Sequence, residues 1–246
     1  MDTHVAATAE DLSLDAARAF ARITGDAVRA RGRCFVALSG GSTPRGLHRA
    51  LIQNEALRSQ VSWDLLQFFW GDERHVPPNH ADSNYRMARE TLLSRVPVAA
   101  EQIHRIRAEE SDAAVAARLY QEEILATLPH DGAAPRFDLI LLGLGNDGHT
   151  ASLFPDTPAL AEQRRLCVDN WVERLHTHRI TMTFPLLNAA RAVLFMVSGE
   201  DKAAIVREVL RPAHPDREFP AQRVRPDGAL LWMLDRDAAS ALGDVT

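Results

Sequence analysis

The sequence predicts an α/β fold: a mostly parallel sheet flanked by helices, of modified Rossmann-like type. Two observations carry the expectation. Five short runs, Cys34–Leu38, Leu65–Trp70, Phe137–Leu142, Ala192–Val197 and Ala229–Leu234, are almost wholly apolar rather than alternating. Strands buried on both faces have that composition. Between the runs lie stretches long enough for helices, and strands alternating with helices of ten or more residues build parallel sheets. The chain has 246 residues, and no internal repeat, low-complexity tract or linker divides it. We therefore expect one domain over residues 1–246.

In chain order, Ala16, Phe20, Ile23, Ala27 and Val28 form the apolar stripe of a first helix. The first strand then runs into Ser39-Gly40-Gly41-Ser42-Thr43-Pro44 and a helix, with Thr43 suited to the N-cap and Pro44 to the first helical position. The second strand ends in Gly71-Asp72-Glu73-Arg74-His75. Beyond it, Asp82 or Ser83 caps a helix expected to reach Leu93. Ile103–Ile106 reads as a more polar strand, and Val115, Leu119, Ile124 and Leu128 as another helical stripe. The third apolar strand leads into a glycine-rich loop from Gly143 to Pro155. Arg179–Thr183 reads as a polar strand, and Glu200–Leu210 as a helix between the last two apolar runs. Three proline-containing stretches, 76–78, 129–135 and 211–226, are short enough to be loops.

Composition narrows the function. A net charge of −5 argues against nucleic acid as a bulk electrostatic partner. No apolar run reaches the roughly 18 residues that would span a bilayer, and the amino terminus carries acids rather than a signal peptide's basic flank. Cys34 and Cys167 lie outside any C-x-x-C pair, so we expect a reducing, cytoplasmic setting. Of 28 basic residues only Lys202 is a lysine. Where arginine has replaced lysine so widely, a surviving lysine draws notice, because an ammonium binds as a point charge and a guanidinium as a planar fork.

Ligands of such sheets bind beyond the carboxyl ends of the strands, and three loops there carry chemistry. Gly40 and Gly41 leave backbone N–H groups, with the hydroxyls of Ser39, Ser42 and Thr43, at the positive end of a helix, which favours phosphate or carboxylate. The loop is neither a G-x-x-x-x-G-K-[ST] nor a G-x-G-x-x-G sequence, so no nucleotide is indicated. Asp72, Glu73 and Arg74 follow a buried strand, and Asn84 lies shortly after. Asp147 and His149 stand two residues apart among glycines, and an imidazole whose tautomer is fixed serves as a general base. His176 and His178 have metal-like spacing but no third ligand nearby, and we read them as structural. No G-x-S-x-G is present, which disfavours an acyl-enzyme esterase.

Together the motifs SGGSTP at 39–44, WGDERHVP at 70–77 with SNY at 83–85, and GLGNDGHTASLFP at 143–155 resemble the 6-phosphogluconolactonase family, as do Arg179-Ile180-Thr181 and Gly199–Ala203. The resemblance runs in order across most of the chain. It implies the α/β fold shared with glucosamine-6-phosphate deaminases, and hydrolysis of a sugar-phosphate lactone by a monomer without metal or cofactor. His149 is then the base, Asp147 positions its imidazole, and Arg74 lies near the carbonyl. Ser39 to Thr43, Asp72, Glu73, Asn84, Arg179 and Lys202 are then placed around the substrate and its phosphate, with Glu73 or Asp72 as the alternative base. The deaminase is the competing reading; Arg74 stands where those enzymes look like D-E-Y, and 150–155 lacks their extra acid. A third reading, a sugar-phosphate sensor, lacks the DNA-binding module that such regulators carry.

Overall fold

A computed structural model describes residues 2–130, 132–212 and 218–243. Parts of the loops expected at 129–135 and 211–226, and the chain's last three residues, lie outside the described residues. The strands are β1 (Asp2–Ala6), β2 (Cys34–Leu38), β3 (Leu66–Trp70), β4 (Asp72–Arg74), β5 (Leu139–Leu142), β6 (Cys167–Val172), β7 (Thr177–Met182), β8 (Ala192–Val197) and β9 (Ala229–Asp235). The helices are α1 (Ala9–Arg31), α2 (Ser42–Gln53), α3 (Glu55–Gln60), α4 (Asn84–Thr91), α5 (Ala113–Thr127), α6 (Phe184–Asn188), α7 (Ala203–Leu210) and α8 (Arg236–Ala239).

Six strands form one parallel sheet in the order β1-β9-β8-β5-β2-β3. Every residue of β2, β5 and β8 is buried, as the unbroken apolar runs require. The chain moves outward from β2 to β3, then returns to place β5 on the other side of β2, so the strand order reverses between β2 and β5. Loops leaving the two central strands diverge at such a point and open a crevice.

The second sheet, β4-β7-β6, is antiparallel and was only partly foreseen. Gly71 joins the two sheets: its N–H donates to Leu38 O at 2.9 Å, and its own carbonyl accepts from Met182 N at 2.9 Å. One residue thus ends the ladder with β2 and begins the one with β7. Ile103–Ile106 is not a strand; only Ile103 bridges Phe68. β1 was missed because it is an edge strand with three exposed residues, and an edge needs no apolar run.

Helix termini differ from expectation in informative ways. α2 starts at Ser42 with Gly41 as N-cap, not Thr43. Gly41 has φ 111°, a conformation that side chains resist, and it turns the chain into the helix earlier than a threonine cap would. Ser83, rather than Asp82, caps α4, its hydroxyl accepting from Arg86 N at 3.1 Å. The helix stops at Thr91, and Leu93 begins a 3₁₀ turn. Glu200–Lys202 is a separate 3₁₀ turn, leaving Lys202 as the cap of α7.

One continuous core runs from Ala6 to Leu242, and a charged contact ties its base. Asp138, with a side chain 2% exposed, accepts from Phe35 N at 2.8 Å and from Arg31 at 2.7–2.9 Å. Its arginine partners are partly exposed and can be solvated without it, but the buried Phe35 N–H would lose its charged acceptor. Asp138→Ala should therefore lower unfolding stability by about 2 kcal/mol, read as a shift in urea midpoint with unchanged slope.

Candidate active site

The site is built on a buried polar layer at the carboxyl ends of β3 and β5. Asp72, 8% exposed, accepts from Ser152 Oγ at 2.6 Å and more weakly from Asn84 Nδ2 at 3.4 Å. The Asn84 amide also donates to Asp72 O at 3.0 Å. Ser152 N donates to Thr181 Oγ1, and Asn170 Nδ2 donates to Ser152 O. Residues from β4, α4, the loop after β5, β6 and β7 thus meet in one hydrogen-bonded cluster. Burying these groups unpaired would cost several kcal/mol, so their pairing fixes the loops relative to one another.

Glu73 has a similar task. Its carboxylate accepts from the N–H groups of Arg74, Asn84 and Tyr85 at 2.7–2.8 Å and from Ser83 Oγ at 3.1 Å. Burial raises its pKa, while the three backbone donors oppose the rise. Both oxygens are engaged in tying β4 to the start of α4. The carboxylates expected near substrate are therefore turned into the protein, and Gly40 packs against the side chain of Asn84.

The loop after β5 presents the dyad. Asp147 Oδ1 lies 2.5 Å from His149 Nδ1 and 3.2 Å from His149 N. Burial raises the Asp147 pKa, but the hydrogen bond and charge of His149, with Arg174 nearby, outweigh it and bring the value to about 2. The carboxylate therefore stays ionised, fixes the ring's Nδ1–H tautomer and leaves Nε2 as the proton acceptor. The ring lies 4.1 Å from that of Phe154, tilted by 30°. Gly145 is required here by close approach: a Cβ would sit 1.9 Å from His149 Nδ1.

The cations come from two other directions. Arg74 and Arg179 are directly opposed in the β4–β7 register and so share one face, with Cβ atoms about 5 Å apart. Arg74 Nη1 donates to Asp82 O, and Arg179 makes one long contact to His178 O. Among the described residues neither is in salt-bridge contact with a carboxylate. Burial, and then the charge of Arg74, lower the Arg179 pKa. Lys202 Nζ donates to Asn146 Oδ1, beside Asp147, and lies 3.8 Å from Asp201 Oδ2. Ser39 is 5% exposed, and its hydroxyl has no hydrogen-bond partner among the described residues.

The structure thus brings Asp147, His149 and Lys202 together through one loop, Arg74 and Arg179 through one strand pair, and Asp72, Glu73 and Asn84 through the layer beneath. His176 sits in a left-handed turn and His178 lies against Trp171. No group of three or more His, Cys, Asp or Glu among the described residues is placed to hold a metal ion. Sequence reasoning missed Ser152, Thr181, Asn170, Phe154 and Arg174. Ser152, Phe154 and Thr181 were legible only as members of motifs or strands, and Asn170 and Arg174 carried no signal at all.

The chain is similar to known proteins over most of its length. A 6-phosphogluconolactonase of Nostoc sp. is 40% identical over 88% of each chain. The solved 6-phosphogluconolactonase of Trypanosoma brucei superposes with a TM-score of 0.86 at 28% identity, covering 98% of both chains. A monomeric glucosamine-6-phosphate deaminase has the same fold, with a TM-score of 0.79 at 22% identity and 98% of this chain covered. Residues 7–232 match the model of one family. The chain is thus a member of the glucosamine-6-phosphate isomerases/6-phosphogluconolactonase family.

Proposed function

We propose that the protein hydrolyses 6-phospho-D-glucono-1,5-lactone to 6-phosphogluconate, the lactone step of the oxidative pentose phosphate pathway, with no metal or cofactor. The observation that carries the reading is the opposed pair Arg74 and Arg179, without a carboxylate in salt-bridge contact among the described residues. Two like charges across a strand pair repel, and an anionic substrate between them relieves that repulsion. A protein of net charge −5 needs such a local cluster to attract a dianion. The absence of an acid between Thr150 and Pro155 favours the lactone over an aminosugar, whose ring opening needs a further proton carrier.

In this mechanism His149 Nε2 takes a proton from water as the oxygen attacks the lactone carbonyl. Arg74 stabilises the developing oxyanion. Collapse breaks the bond between the carbonyl carbon and the ring oxygen, and the imidazolium returns its proton to that oxygen as it becomes a hydroxyl. Arg179, Lys202 and the Ser39–Thr43 loop hold the phosphate at the start of α2. Asp72, Glu73 and Asn84 act from beneath, holding the loops in register. All these groups come from one chain, and we read the protein as a monomer. Burial pushes the thiols of Cys34 and Cys167 above their usual range, in keeping with unreactive cysteines in a reducing cytoplasm. Among the described residues no helix is long and apolar enough to cross a membrane.

Three measurements test the reading. In the presence of chelator, the phospholactone should be hydrolysed well above its spontaneous rate and glucosamine 6-phosphate should release no ammonia; the reverse result assigns the deaminase reaction. His149→Ala should reduce kcat by about 10²–10⁴ while leaving 6-phosphogluconate binding nearly intact. Gly145→Ala should reproduce part of that loss by displacing the ring; near-normal turnover in both variants removes His149 as the base. Lys202→Ala and Arg179→Ala should each raise KM by about ten- to a hundredfold, the value of a charged hydrogen bond, yet leave a non-phosphorylated gluconolactone almost unaffected. Unchanged KM for the phospholactone would move the phosphate elsewhere.

A further inference from the structure

The β6–β7 hairpin reaches the catalytic loop from the small sheet. Val172 and Thr177 close its ladder, leaving a turn of Glu173, Arg174, Leu175 and His176, with His176 left-handed at φ 45°. Arg174 projects from this turn, and its Nη2 lies 2.6 Å from Asp147 Oδ2. The two oxygens of Asp147 are therefore divided: one holds His149 Nδ1 and the other holds the guanidinium. The guanidinium carbon also lies 5.0 Å from the centre of the Phe154 ring, whose ring lies against the imidazole. Arg174 thus touches both supports of His149.

An ion pair whose arginine side chain is 53% exposed is by itself worth only about 0–1 kcal/mol to stability, so its value must be sought in orientation. Arg174 has an acid next to it in sequence, but Glu173 Oε2 accepts from Trp171 Nε1 at 2.6 Å. The arginine instead spans from the hairpin to a loop of the other sheet. A carboxylate anchored at one oxygen alone can swing about its Cβ–Cγ bond, whereas one anchored at both is fixed. Small displacements of a base cost turnover heavily.

We propose that Arg174 is a positioning residue for the hydrolysis: from the hairpin tip it clamps the second oxygen of Asp147 and so fixes the carboxylate that orients His149. The assignment rests on His149 being the base. The same hairpin carries Arg179 on β7, so one rigid element sets the dyad and a substrate cation together. Among the described residues, the charged groups that reach the dyad or its loop are Arg174 from the hairpin and Lys202 from the turn before α7, the latter through Asn146; Phe154 and Phe219 are uncharged. Arg174 offsets part of the Asp147 charge felt by the imidazole. Its removal favours the imidazolium, which moves the acid limb of the rate profile to higher pH.

The test is the pH dependence of kcat in Arg174→Gln and Arg174→Lys, with thermal midpoints measured to verify folding and His149→Ala assayed alongside. The glutamine variant should lose about tenfold in kcat, keep its KM for the phospholactone within about twofold, and show the acid limb displaced upward. The lysine variant, which keeps the charge but not the fork, should restore the position of the limb and only part of kcat. Wild-type kcat in Arg174→Gln, or a lower kcat with an unmoved acid limb, overturns the proposal. If His149→Ala keeps its turnover, the base assignment fails instead; an inactive His149→Ala beside a silent Arg174→Gln removes Arg174 alone.

Discussion

Asp72 is the residue through which the site is assembled. It lies at the first position after Gly71, where the chain leaves the parallel sheet for the antiparallel one, and it is almost fully buried. A carboxylate in that position must be hydrogen-bonded or it destabilises the fold. Its donors, Ser152 and Asn84, belong to the loop after β5 and the start of α4. Satisfying one buried carboxylate therefore holds the dyad loop against the small sheet that carries Arg74 and Arg179. Glu73 repeats the device one residue later by capturing three backbone N–H groups. These acids shape the site from behind.

On that foundation the charges are arranged by sign. The dyad carboxylate is kept ionised by its partners, to a pKa of about 2. The strand pairing sets the two arginines opposite each other. Among the described residues neither is in salt-bridge contact with a carboxylate, although burial and Arg74 lower the Arg179 pKa against the opposing charges of Asp72, Asp82 and Glu73. The pairing of β7 with β4 on one side and β6 on the other keeps Arg74 and Arg179 opposite each other. The lone lysine, in the turn before α7, reaches the loop of Asp147 and His149 through Asn146.

The legibility of the fold follows from burial. β2, β5 and β8, buried throughout, left unbroken apolar runs that could be read directly. β4, of three residues, and β6, with its Asp169, Asn170 and exposed Trp171, left no such pattern. Their pairing is decided by Gly71 and by contacts distant in sequence. The site shows the same division. His149 and Asp147 are two residues apart and could be paired on spacing alone, whereas Arg174 and Asp147 meet only because a hairpin of one sheet reaches a loop of the other.

The sequence by itself determined the parallel α/β core, the three loops at its carboxyl edge, the dyad and the family resemblance. These depend on local composition and on motifs of a dozen residues or fewer. Only the tertiary structure decided that Asp72 and Glu73 point inward, that Gly41 rather than Thr43 caps α2, and that two arginines face each other across β4 and β7. The direction of a side chain at a strand end is set by the partner that satisfies its hydrogen bonds. Here, apart from the N–H of the adjacent Arg74, the partners of Asp72 and Glu73 lie ten to eighty residues away, beyond the reach of any local pattern.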